Sequence, residues 1–173
     1  MKKLLSILGK IEKLMIRCER AVMFAVSLVL IVVVFTQVVC RYVLYISTPW
    51  AEELALFTFI WIAWVGAAFA VYSNDHLQIN IMDAVVERSK NPERGARIVN
   101  FVSILLTLLF LIVFFVGYLQ FFAHVAARPQ YSTATHWPLI IIQVAPVIST
   151  ALMIFHAVIR CLRVWMPEKG GEL

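Results

Sequence analysis

The chain has 173 residues, 62% of them hydrophobic and 14% charged, against about 25% charged in an ordinary soluble domain. A soluble fold of this length leaves much of its surface wet, so a water-soluble globule is excluded and the bilayer must supply the missing burial. Fifteen Lys and Arg against ten Asp and Glu give a formal net charge of +5, and the placement of these charges speaks for membrane topology and not for nucleic acid.

Residues 1–20 place Leu4, Leu8, Ile11, Met15 and Cys18 on one helical stripe, widened by Ile7 and Leu14, while Lys3, Lys10, Lys13 and Arg17 project elsewhere. This pattern predicts an amphipathic helix lying on the cytoplasmic leaflet, in contact with membrane lipid. A merely basic, partly disordered leader that enforces topology is the alternative. Lys10 breaks the apolar stretch behind Lys2 and Lys3, and no small-x-small pattern follows, which argues against a cleaved signal peptide.

Next come four uncharged intervals: Ala21 to Cys40, Leu54 to Asn74, Ile98 to Ala127 and Pro129 to Ile159. The first two have 20 and 21 residues, each about 30 Å of helix, the thickness of the hydrocarbon core. His136-Trp137-Pro138 marks the expected start of the fourth helix. The predicted spans are 21–40, 54–74, 98–123 and 138–159, within a membrane domain over 21–160 and ahead of a tail over 161–173. Between the second and third spans, Ile79, Met82, Val85 and Val86 follow helical spacing, and Asn91-Pro92 ends that short helix.

Thirteen Lys and Arg fall in the N-terminal segment, the second connection and the tail, against Arg41 and Arg128 on the other face. The positive-inside rule then predicts both termini in the cytoplasm. Trp50 and Trp137 fall at the external boundary and Trp165 at the internal one, as aromatic anchors do. The fold class read from the sequence is an all-α membrane protein: four transmembrane helices, both termini cytoplasmic, preceded by an amphipathic interfacial helix.

The chemistry these residues permit is sparse. Every Asp and Glu is expected outside the spans, whereas an ion-coupled carrier holds its ligands near the midplane. Gln143 and Pro146 are the nearest to a polar break, and a Pro kink satisfied by a neighbouring helix accounts for them. His76 and His156 are expected near the cytoplasmic ends of helices, and His124 and His136 near the external ends. Two pairs at two depths allow a small haem-binding membrane cytochrome, but positions at the span ends suit hydrated boundary residues better. Cys18, Cys40 and Cys161 form no Cys-x-x-Cys. No cofactor, metal site, catalytic residue or enzyme activity is predicted.

Two features suggest contact surfaces. Ala63 and Ala67, then Gly66 and Ala70, are spaced four apart, leaving a smooth strip that admits another backbone, from this chain or from a partner. Pro49-Trp50-Ala51-Glu52-Glu53 sets carboxylates at a helix start, where the helix dipole favours them; one of them is also able to meet a basic partner group.

The ordered set Arg41-Tyr42, Pro49-Trp50-Ala51-Glu52-Glu53, Gly66-Ala67-Ala68 and Asp75-His76-Leu77-Gln78-Ile79-Asn80 resembles the small membrane subunit of tripartite ATP-independent periplasmic (TRAP) transporters. Asn80 departs from the pattern, which often has an acidic residue there. The resemblance implies a large multispan transporter subunit as partner, carrying the substrate and sodium sites, and a periplasmic substrate-binding protein that delivers an organic acid such as sialic acid or a C4-dicarboxylate. This chain would be the accessory scaffold, with Arg41, Tyr42, Trp50, Glu52, Glu53, Ala63, Gly66, Ala67, Ala70 and His76 as candidate interface residues.

Overall fold

The computed structural model describes residues 2–73 and 92–165. They form four helices: α1 (Lys2–Tyr42), α2 (Pro49–Ser73), α3 (Pro92–Ala126) and α4 (Ile140–Trp165). Each contains a stretch long and apolar enough to cross a membrane. The short helix expected between α2 and α3, together with His76, lies outside the described residues.

The helix ends follow local chemistry. Pro49 and Pro92 occupy the first positions of α2 and α3, where the missing N–H is no loss and the fixed φ is already helical. The α1 helix stops where Tyr45 takes a left-handed conformation, φ 57°, and the Ile46 N–H turns back to the Cys40 carbonyl at 2.9 Å. The His136-Trp137-Pro138 segment does not begin α4. His136 is left-handed, φ 53°, and Tyr131 and Pro138 form an isolated antiparallel bridge. Residues 130–139 thus close into a compact loop, and regular helix begins only at Ile140.

The α1 helix shows no break between the expected interfacial segment and the first span. Its 41 residues extend about 62 Å at 1.5 Å per residue, roughly twice the hydrocarbon thickness. Among its described side chains, Glu12, Ile16, Glu19 and Val33 are buried, whereas Ile11, Leu14 and Cys18 are exposed and Met15 is half-buried. Among the described members of the apolar stripe, Ile11, Leu14 and Cys18 therefore point away from the other helices. Leu4 and Leu8 lie in α1, with side chains outside those described.

The helices pack in the order α1, α2, α4, α3, each mainly against its neighbour in that row. The row places α4 in the middle, with 39% of its most apolar window buried against 6% for α1 and 11% for α3. Ala68 and Val71 of α2, Leu111 of α3, and Met153 and Ala157 of α4 make the core, flanked by Trp64, Ala67 and Leu108. Phe110, Phe114 and Tyr118 stack along α3, and Trp64 of α2 lies on Phe114 at 5.8 Å. Pro146, inside α4, supplies no N–H. Three residues earlier, the Tyr118 hydroxyl reaches the side chain of Gln143 at 2.5 Å and its carbonyl at 3.3 Å, a polar tie between α3 and α4.

Candidate partner-binding surface

The end of α1, the start of α2 and the loop before α4 hold five of the ten candidate interface residues: Arg41, Tyr42, Trp50, Glu52 and Glu53. The Glu53 carboxylate accepts from the hydroxyls of Ser132, Thr133 and Thr135 and from the N–H groups of Ala134 at 2.8 Å and Thr135 at 2.9 Å. Successive N–H groups at a turn make a natural anion cradle. Here the anion is a side chain of the same molecule, and the loop is tied to the first turns of α2. Trp137, on the same loop, lies against Phe57 of α2 at 6.0 Å between ring centroids.

Glu52, one residue earlier, faces another way. It is exposed and accepts from Gln37 Nε2 at 3.2 Å. Gln37, Arg41, Tyr45, Ile46, Ser47, Thr48 and Glu52 line an open notch between the end of α1 and the start of α2. Arg41, Tyr42 and Trp50 are all exposed. This rim carries both charge signs and aromatic area, and its shape is fixed by the turn at Tyr45, so it can receive a protruding polar group. Glu53 and Glu52 therefore differ: the first holds this chain's own loop, a use not foreseen from the motif, and the second stands at an open edge.

The small-residue strip of α2 is also divided. Gly66 faces α1, with Met23 Sδ 3.8 Å from where a Cβ would stand. Ala67 packs against the α2–α3–α4 core, Ala70 is half-buried, and Ala63 is exposed. The most tightly enclosed small residues of α2 are Ala51 and Ala68, both fully buried. Ala68 is adjacent to the predicted strip, and spacing alone could not fix the register to one residue.

The other end of the row holds what the sequence reading missed. Glu12 and Glu19 of α1 are buried beside His156 of α4, where hydrated boundary residues and carboxylates free of the spans were expected. The signal available was the pair of acids seven residues apart, on one helix face in an otherwise basic segment. His156 turns its nitrogens to these carboxylates, while His124 and His136 are exposed, so the haem reading gains no support. Arg20 lies over the Phe69 ring at 5.6 Å, a cation–π contact joining α1 to α2.

No individual curated protein matches the chain. A family model does match, over residues 30–166, and its description reads "Tripartite ATP-independent periplasmic transporters, DctQ component". The matched region takes in the end of α1, the rim, the Glu53-held loop and the three helices of the core. With most of its length so matched, the chain belongs to the DctQ family, the DctQ component of the tripartite ATP-independent periplasmic transporters.

Proposed function

We propose that this chain is the accessory scaffold subunit of a sodium-coupled secondary transporter that imports an organic acid delivered by a periplasmic binding protein, with a large multispan subunit as its membrane partner. It sits in the inner membrane with both termini in the cytoplasm. The observation that carries this reading is the open row of helices: α1 and α3 present long apolar faces with little internal burial, a form suited to lie against a larger membrane body. The carboxylates whose side chains are described, Glu12, Glu19, Glu52 and Glu53, lie towards the two ends of the helix row. Gln37, Thr58, Thr107 and Gln143 are spread over four helices, and dehydrated cations need several converging oxygen ligands.

The polar rim at Arg41, Trp50 and Glu52 is the contact offered to a partner at the external surface, and the exposed stripe of Ile11 and Leu14 rests on lipid at the inner one. Proteoliposomes holding this subunit alone are expected to show no uptake of sialic acid or dicarboxylates under an inward sodium gradient. Adding the large subunit and a loaded binding protein restores uptake of the proper acid. Saturable, gradient-dependent uptake by the lone chain overturns the accessory role.

A further inference from the structure

Residues 10–20 of α1, Met15 apart, divide among three lengthwise stripes, each advancing in steps of three or four and so keeping one side of the helix. Glu12, Ile16 and Glu19 form the first and are buried, the two acids only 3% and 4% exposed. Lys10, Lys13, Arg17 and Arg20 form the second, and all four are exposed. Ile11, Leu14 and Cys18 form the third, which is exposed as well, and Val22 carries it without a break into the first span. The segment thus turns its acids inward, Glu19 to 3.1 Å from His156 of α4, and every exposed charge described between residues 9 and 20 is a cation. Arg20 fixes the upper end of the basic stripe, where it lies over the Phe69 ring of α2.

A cationic stripe beside an apolar one matches an amphiphile of opposite charge. Long basic side chains run their methylenes along apolar surface and hold their charged ends in the polar layer, which is where the phosphates of a bilayer lie. A zwitterionic headgroup brings an ammonium that the same cations repel; a headgroup without one does not. We propose that the outer surface of α1 around Lys10, Lys13 and Arg17 binds anionic phospholipid of the phosphatidylglycerol kind. The basic stripe takes the phosphates, and Ile11, Leu14, Cys18 and Val22 take the acyl chains. The inward turn of Glu12 and Glu19 is what makes the surface selective, because two exposed carboxylates among these cations would offset half of the charge that the lipid meets. The proposal rests on the membrane placement given above and is independent of what the assembled transporter carries.

The test uses the full chain in phosphatidylcholine vesicles, with Cys40→Ser and Cys161→Ser and a fluorophore on the exposed Cys18. A small fraction of the lipid carries a quenching nitroxide near the carbonyl end of one acyl chain, on phosphatidylglycerol in one series and on phosphatidylcholine in the other. Quenching by the anionic lipid is expected to be about fivefold the stronger, the ratio that one basic residue near an anionic surface supplies, and to fall to the phosphatidylcholine value as salt is raised. The salt series needs no variant, so the effect of charge is read on the parent chain itself. Replacing Lys10, Lys13 and Arg17 together by Gln removes the excess, whereas Arg41→Gln, at the other end of α1, leaves it unchanged. Equal quenching by the two lipids in the parent chain, an excess indifferent to salt, or an excess that survives the triple replacement overturns the proposal and leaves the membrane placement standing. Quenching by neither lipid overturns both.

Discussion

Both oxygens of Glu53 meet donors only, two of them backbone N–H groups, so a side chain that carries an N–H of its own cannot replace it. Glu53→Gln is expected to lower the melting temperature of the purified chain and to open the 130–139 loop to added protease, while Glu52→Gln, at an exposed edge, leaves both unchanged. Equal behaviour of the two variants would show that the loop is held by something other than this carboxylate. The start of α2 was legible in Pro49 and the acids behind it, but the use of Glu53 was not. Its partners lie 79 to 82 residues away, and local sequence carries no measure of which loop will arrive. Glu12 and Glu19 failed for the same reason, with His156 137 residues from Glu19.

Helix existence was the easiest property to read, because a span needs only about twenty apolar residues and lipid asks little else of its outward face. Register was harder. On α2 the strip of small residues turns through three environments, and Gly66 is the position where this can be measured. A Cβ there makes an ordinary contact with Met23, so Gly66→Ala is expected to stabilise by about 0.5–1 kcal/mol through reduced backbone freedom. Gly66→Leu forces Met23 and α1 aside, and is expected to cost about 1–3 kcal/mol. Ala63→Leu, on an exposed position, changes little. Thermal unfolding in detergent distinguishes them, and a Gly66→Leu chain as stable as the parent would mean that α1 is not seated on this face. The continuity of α1 was equally hidden: the sequence shows a change of composition near residue 20, but nothing in that change requires the helix to bend, and neither Arg20 nor Ala21 breaks it.

At the scale of the molecule, the native cysteines report topology. Cys18 lies in the basic half of α1, Cys161 at the end of α4, and Cys40 at the opposite end of α1. In intact spheroplasts a membrane-impermeant maleimide is expected to modify Cys40 alone, with Cys18 modified only after the cells are opened. Labelling of Cys18 from outside would reverse the orientation drawn from the thirteen basic residues.

The spatial order α1, α2, α4, α3 also has a meaning for biogenesis. Helices emerge from synthesis in chain order, so α3 enters the bilayer while the place between it and α2 is still vacant. The helix made last fills that place, completes the core through Met153 and Ala157, brings His156 to α1, and draws in the loop that Glu53 seizes. A chain cut short before residue 140 would keep the α1–α2 pair but leave α3 without its main packing partner, a half-built subunit whose bare helix faces distinguish it from the finished one.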